Sequence, residues 1–297
     1  IDVPSFNELL ARFDFVLAVM QTPENIEEVF YEATLDIAHE NIWYTEWTMA
    51  PAYHTRQGLS LSEVVSSALK GLERGQKDTG VLGKLILGIQ REAIDKQKSE
   101  DARDPLGIEI VKTAIKFSNK GVVALGLVCN EASYPPELYE KAFNLAAEKG
   151  LKRTAHAGEF GSARTKNINT SILRLRANGI GHGIPVGKNP KLINLLASRK
   201  VRLEANPLSN ILTKAISSIE ELGLDSLFKS DIKVSINSDD PILFQKELAD
   251  NFKAVLDFYG WGEKELTKFT ANALSSAFMT PAEYKERLEF FREKGFR

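Results

Sequence analysis

The 297-residue sequence contains one cysteine, four histidines and no apolar run long enough to cross a membrane. With Cys129 as its single thiol, the chain cannot build a disulfide framework or a zinc site made of cysteines. A membrane-spanning helix needs roughly 18 or more consecutive apolar residues, and no charged-then-apolar leader opens the sequence. We therefore expect neither a membrane protein nor a secreted one, and the low cysteine content favours the cytoplasm.

The sequence also lacks an excess of charge of either sign, since 38 lysines and arginines face 40 aspartates and glutamates, for a formal net charge of -2. Large polyanionic partners such as nucleic acid are therefore not expected. A hydrophobic content of 43% with 26% charged residues is ordinary for a globular protein. The length fits one large α/β domain spanning residues 1–297.

Short β-branched or apolar runs alternate with longer amphipathic stretches along the chain, which is typical of parallel β/α units. Seven strands are predicted, at Ile42–Trp47, Lys84–Gln90, Val122–Val128, Lys152–His156, Gly179–His182, Val201–Ala205 and Ile232–Asn237. Helices are predicted at Ile26–Glu40, Leu61–Lys77, Pro105–Lys120, Pro136–Lys149, Asn169–Asn178, Asn189–Arg199, Glu247–Tyr259, Glu263–Phe278 and Pro281–Lys294. Gly150 and Gly179 follow two of these helices at positions that suit a left-handed cap.

A closed (β/α)8 barrel requires eight strands, one more than the pattern predicts. The first residues, Ile1 to Phe6, read as a linker that enters a helix from Phe6 to Phe15 rather than as a strand. We therefore predict an α/β fold of the TIM (β/α)8-barrel type whose first strand is missing from this sequence and lies before residue 1.

Three of the predicted strands end in polar residues that suit chemistry. They end in His156-Ala157-Gly158-Glu159, in Ile180-Gly181-His182-Gly183 and in Ser238-Asp239-Asp240-Pro241. The carboxyl ends of parallel barrel strands meet at one rim, where barrel enzymes place their catalytic groups. We therefore expect these side chains to share one site.

Each of these residues also has a structural alternative. Glu159 suits the first turn of a helix, where the dipole favours a carboxylate, and His182 between two glycines suits a tight turn. Asp240 before a proline is a typical helix N-cap, and Asn206 and Ser209 suit caps or turns. Taken together, two of four histidines and the only adjacent pair of aspartates fall at predicted strand ends, which favours a site.

Four segments, in this order and spacing, resemble the signature of the adenosine deaminase family, zinc enzymes of the metal-dependent hydrolase barrel class. They are Thr154–Glu159, Gly181–Gly183, Glu204–Asn210 and Ser238–Pro241. The likeness runs from about Ser5 to the C-terminus, and Leu9–Phe15 and Tyr44–Pro51 resemble the family's earlier helix and second strand.

The resemblance implies a Zn²⁺-dependent hydrolytic deamination of a purine, foremost adenosine to inosine and ammonia. It implies that His156 and Asp239 are metal ligands and that Glu159 protonates the purine ring. His182 would act as the base that deprotonates the attacking water, and Asp240 would hydrogen-bond the ring. Zinc suits this chemistry because it lowers the pKa of bound water toward roughly 7, and imidazole and carboxylate are common zinc ligands.

The resemblance also implies substrate contacts from Gly158 and Cys129, although Cys129 and Asn130 stand where the family usually has glycine and aspartate. Thr48 replaces the arginine that often follows the second-strand glutamate, here Glu46. Adenine or a modified adenosine therefore remain alternative substrates.

The family's first strand carries a His-x-His pair that supplies two further zinc ligands. Residues 1–30 contain no histidine. We expect that segment to precede residue 1. The alternative is a catalytically inactive purine-binding relative that has lost half of its metal ligands.

Overall fold

The computed structural model describes residues 6–94, 97 and 104–295. The predicted linker at residues 1–5 lies outside this range. Seven parallel strands form one sheet in sequential order, and all seven correspond to predicted strands. They are β1 (Tyr44–Met49), β2 (Leu82–Gln90), β3 (Val122–Val128), β4 (Lys152–Ala157), β5 (Gly179–His182), β6 (Arg202–Ala205) and β7 (Val234–Ile236).

Thirteen α-helices of the described residues connect and flank the strands. They are α1 (Phe6–Val19), α2 (Pro23–His39), α3 (Leu61–Thr79), α4 (Pro105–Phe117), α5 (Glu140–Glu148), α6 (Arg164–Leu173), α7 (Pro190–Arg199), α8 (Pro207–Leu212), α9 (Leu224–Phe228), α10 (Pro241–Phe244), α11 (Leu248–Tyr259), α12 (Glu263–Ser276) and α13 (Pro281–Glu293). Within the described residues, no helix is both long and apolar enough to span a bilayer.

The strands alternate between two apolar layers, as the period of two in a β-strand requires. In β2, Leu85 and Leu87 pack against the surrounding helices. Ile86 points to the other side, where it meets Ala124 of β3 and Phe278. Full burial of one such leucine contributes about 1.5–3 kcal/mol, so this alternation fixes which strand residues face the inside of the curled sheet.

The sheet is curled into an incomplete barrel, because residues of β1 and β6 meet across its interior. Arg202 of β6 donates to Glu46 of β1 at 2.6 Å and to Glu204 at 2.8 Å. All three side chains are largely buried, and the Arg202 guanidinium also lies 3.6 Å from the ring centroid of Phe278. Although Thr48 stands where the related family often has arginine, Glu46 therefore has a buried cationic partner.

In the part of the chain that the structure describes, no backbone pairing joins β1 to β7. A gap separates these two edge strands, and it is lined by Trp47 and Thr48 of β1, by Ile236 of β7 and by residues of α12. The observed sheet thus agrees with the predicted barrel that lacks one strand.

Several predicted helix boundaries are wrong. The helix predicted at Asn169–Asn178 lies at Arg164–Leu173, since the Asn169 side chain donates to the Thr165 carbonyl inside the helix instead of capping its start. Gly179 does not end that helix but opens β5, where an added Cβ would lie 2.7 Å from Glu204 Oε1. Gly150 adopts the predicted left-handed conformation, with φ of 77°. The short helices α8, α9 and α10 were not predicted, because too few residues carry a periodic pattern in each.

The buried Arg202 cluster predicts a large effect on stability. Arg202→Met removes the cation that pairs with both Glu46 and Glu204 and leaves two buried carboxylates near each other, so we expect a loss of about 3–5 kcal/mol in the free energy of unfolding. Arg174→Met is the control, because Arg174 pairs with Glu140 at the surface, and its loss should stay below about 1 kcal/mol. Urea denaturation measures both, and equal stability of the two variants would contradict a structural role for the cluster.

Candidate active site

One large cavity of about 2520 Å³ opens at the carboxyl end of the strands and continues along the gap between β1 and β7. It collects side chains from the ends of all seven strands, as the parallel arrangement predicts. Of the predicted site residues, those on its wall are Cys129 after β3, His156 and Glu159 at the end of β4, His182 at the end of β5, and Asp239 and Asp240 after β7.

His182 lies at the centre of this group. Its Nε2 is 3.5 Å from Glu159 Oε2 and 3.9 Å from Asp239 Oδ2. The His156 ring stands edge-on to the His182 ring, with 4.9 Å between their centroids. The potential ligand atoms of His156, His182 and Asp239 all lie within 4.8 Å of one another, so these three residues form a candidate metal centre.

His156 has the properties of a metal ligand. Burial and the neighbouring His182 lower its pKa, so the imidazole is neutral and keeps a lone pair at pH 7. Its buried Nδ1 has no hydrogen-bond partner among the described residues, and an orphaned buried polar atom of this kind is typical of a site for an ion or a water. Gly181 makes room for the ring, since an added Cβ there would lie 2.9 Å from Nδ1.

Asp239 and His182 are both held by the short helix α8. Ser209 Oγ donates to Asp239 Oδ2 at 2.6 Å. The side-chain oxygen of Asn210 lies 2.8 Å from His182 Nδ1, and because a carbonyl oxygen can only accept, Nδ1 carries the proton. The lone pair is then on Nε2, which faces Glu159 and Asp239. The side-chain amide nitrogen of Asn206 lies 3.4 Å from Nε2, so it can donate to that lone pair.

Two carboxyl groups of the site, those of Glu159 and Asp240, have raised pKa values. Burial, reinforced by the charge of Asp239, raises the pKa of Glu159 to about 7. Burial and Asp239 likewise raise the pKa of Asp240, although its side chain is accessible from the cavity. Burial favours a neutral His182, but the carboxylates of Glu159 and Asp239 outweigh it and raise its pKa. The site therefore places a carboxyl group with a raised pKa beside an imidazole, which is a pair of groups that can transfer protons.

The ends of these strands adopt left-handed backbone. Cys129, His182 and Asp239 have φ of 74°, 64° and 61°, and Gly158 has φ of 86°. A left-handed residue with a Cβ costs roughly 1–2 kcal/mol, and such residues cluster at functional sites where the surrounding structure determines them. The sharp turns carry the chain away from the sheet while the side chains stay at the cavity.

Two predicted substrate contacts have other partners. The thiol of Cys129 lies 3.4 Å from the Tyr53 hydroxyl on the cavity wall. Gly158 lies behind the wall, and its amide donates to the carboxylate of Glu131 at 2.9 Å. The one backbone donor of Gly158 is thus used by Glu131, and the contact between Gly158 and a substrate stays a prediction.

Four residues near the site had no predicted role in it. Ser209 and Asn210 lie in the segment Glu204–Asn210, which resembles the family signature. The sequence alone does not show that their side chains reach Asp239 and His182. Glu131 and Arg91 bind the backbone around Glu159. The sequence could have singled out Arg91 because it is a charged residue directly after a buried strand. Such a residue needs hydrogen-bond partners if its side chain is buried.

Comparison with known proteins identifies the family. The adenosine deaminase family model matches residues 1–290. The adenosine deaminase of Clostridium kluyveri is 33% identical over 286 residues, which cover 96% of this chain and 79% of that protein. The chain belongs to the adenosine deaminase family.

Solved structures of deaminases share the fold of this family member. The adenine deaminase of Arthrobacter aurescens matches with a TM-score of 0.81 and 27% identity, over 96% of this chain and 84% of that one. The N6-methyl-AMP deaminase of Arabidopsis thaliana matches with a TM-score of 0.83 and 22% identity, over 98% and 84% of the two chains. These matches confirm the predicted TIM-barrel-type fold.

The left-handed backbone of Cys129 reverses the usual preference between alanine and glycine. We expect Cys129→Gly to be more stable than Cys129→Ala by about 1 kcal/mol, because both lose the thiol but only alanine keeps the steric cost of a Cβ. At the exposed helical position Ala271 of α12, glycine should instead be less stable than alanine by about 0.5–1 kcal/mol. Thermal unfolding measures both comparisons, and the same sign at both positions would show that strain at Cys129 is negligible.

Proposed function

We propose that this chain catalyses the hydrolytic deamination of a purine, in which water replaces the amino group and ammonia leaves. The proposal rests on the position of His182 Nε2, which lies 3.5 Å from Glu159 Oε2 and 3.9 Å from Asp239 Oδ2. Conversion of adenosine to inosine is the first reaction to test, since the Clostridium kluyveri relative is named an adenosine deaminase. The name of the Arthrobacter aurescens structure supports adenine as the alternative substrate.

Zinc is the proposed metal, held by His156 and Asp239. A neutral imidazole and a carboxylate are suitable zinc ligands, and catalytic zinc sites generally use three protein ligands. When bound, zinc lowers the pKa of water and so supplies a nucleophile at neutral pH. The remaining ligands are proposed to be the His-x-His pair that the family resemblance implies, placed beside the cavity that His156 and Asp239 line.

Glu159 is proposed as the proton donor. Its raised pKa of about 7 leaves a large fraction of the carboxyl protonated at neutral pH, so it can protonate the ring nitrogen beside the carbon that loses the amino group. Its side chain is only 13% exposed, which limits exchange of that proton with bulk water. Such proton transfer contributes about 10²–10⁴-fold to a rate.

His182 is proposed as the base that takes a proton from the attacking water. The hydrogen bond from Nδ1 to Asn210 leaves the Nε2 lone pair facing the site, and the imidazolium that forms lies beside the carboxyl groups of Glu159 and Asp239, which stabilise it. Asp240, which lines the same cavity, is proposed to hydrogen-bond a second ring nitrogen and hold the purine in place.

The proposed partner is thus a small purine rather than a macromolecule. A cytoplasmic location is proposed from the single cysteine, because proteins of oxidising compartments commonly carry disulfides.

The reaction can be tested with the chain, together with any residues that precede Ile1, loaded with zinc. We expect ammonia release and the absorbance change of adenosine turning into inosine. Glu159→Gln should lower kcat by about 10²–10⁴-fold without loss of zinc, because the amide cannot donate the same proton. Glu137→Gln is the control, since Glu137 pairs with Lys166 at the surface. Inactivity of the wild type on adenosine, adenine and N6-methyladenosine would contradict the proposed function.

The roles of the two histidines can be separated by metal content. His156→Ala should lose zinc and activity together, because a ligand is removed. His182→Ala should keep zinc and lose about 10²–10⁴-fold in kcat, because only the base is removed. Zinc is measured by elemental analysis of the purified proteins. If His182→Ala loses zinc as His156→Ala does, His182 is a metal ligand and not the base.

A further inference from the structure

Two buried residues of opposite charge bind the backbone segment from His156 to Phe160, which carries both the proposed metal ligand and the proposed acid. Arg91 follows β2 and is 0% exposed, and Glu131 follows β3 and is 3% exposed. Buried charges are costly unless they are fully hydrogen-bonded, so the partners of these two side chains indicate what they stabilise.

Glu131 binds the backbone on both sides of Glu159. Its carboxylate accepts the amide of Gly158 at 2.9 Å and the amide of Phe160 at 2.8 Å. The left-handed Gly158, with φ of 86°, turns these two amides toward one anion, in the manner of a backbone nest. Hydrogen bonds from backbone amides to a carboxylate are among the strong ones, so the chain is fixed directly before and after the acid.

Arg91 binds the other end of the same segment. Its guanidinium donates to the carbonyl of His156 at 2.6 Å and to the carbonyl of Tyr134 at 2.6 Å. The Tyr139 hydroxyl in turn donates to the Arg91 carbonyl. Arg91 thereby links the residue after β2, the loop after β3 and the end of β4.

We infer that Glu131 and Arg91 are positioning residues, which hold the His156–Phe160 backbone so that the Glu159 carboxyl stays at its observed distance from His182 and meets the purine ring in the productive orientation. The expected effect on kcat rests on the proposed function. The expected effect on the backbone rests on the hydrogen bonds alone. Misplacement of a reacting group by about 1 Å can cost about 10²-fold in rate.

The kinetic test uses Glu131→Gln and Glu131→Ala in the zinc-loaded enzyme. We expect kcat to fall by about 10²-fold in Glu131→Ala and by about 10-fold in Glu131→Gln, which keeps one acceptor oxygen, while KM and zinc content change less than about threefold. Glu221→Gln is the matched control, because Glu221 also accepts a backbone amide, from Ser217, but outside the site. Wild-type kcat in both Glu131 variants would overturn the inference.

The structural test is amide hydrogen exchange measured by mass spectrometry on the same proteins. Glu131→Gln should speed exchange in the peptide that covers residues 156–162, without faster exchange in β2 or α3, and Glu221→Gln should leave that peptide unchanged. Unaltered exchange at 156–162 would overturn the inference even if activity fell. If no purine is deaminated by the wild type, faster local exchange would still support the positioning role while the proposed function fails.

A second variant covers the case in which Glu131 variants do not fold. Arg91→Lys keeps the charge, but one ammonium cannot span the carbonyls of Tyr134 and His156 as a guanidinium does. We expect faster exchange at residues 156–162 and a kcat loss of about 10-fold at nearly constant KM. Exchange and kcat equal to those of the wild type would overturn the role of Arg91.

Discussion

The chemistry of this molecule depends on left-handed backbone at the ends of its parallel strands. A strand that ran straight into its loop would carry His182 and Asp239 away from each other, whereas a left-handed residue turns the chain within one position. This conformation is unfavourable for residues with a Cβ, and it persists only where neighbouring groups determine it. The hydrogen bonds that His182 donates to Asn210 and that Ser209 donates to Asp239 are such determinants, so the geometry of the site and the packing beneath it cannot be separated.

The residues around the site are supported by elements that never touch a substrate. The six-residue helix α8 contributes two side chains that orient the base and a proposed metal ligand, and the turns after β2 and β3 contribute Arg91 and Glu131. Such outer partners commonly matter as much as the groups they orient. Inside the curled sheet, the buried Arg202 cluster joins β1 to β6 and keeps the sheet curled. This curvature brings the ends of distant strands to one cavity.

The alternation of apolar runs was enough to predict the seven strands and their parallel order, because most of the strands are buried on both faces. The convergence of His156, Glu159, His182 and Asp239 followed from the rule that parallel strand ends share a rim. The start of α6 could not be predicted, because an asparagine inside a helix looks like an asparagine that caps one. The partner of the Gly158 amide could not be predicted either, since Glu131 is 27 residues away in the sequence. Whether the Glu131 side chain contacts Gly158 depends on the register of β3 and β4.

The environment of Cys129 has one more consequence. Burial raises the pKa of its thiol to about 11, so almost none of it is thiolate at neutral pH, and thiolate is the form that attacks disulfides and alkylating reagents. The folded molecule should therefore react slowly with such reagents. Because this is the chain's one cysteine and it stands on the cavity wall, its rate of labelling reports how often the loops at the rim open to solvent.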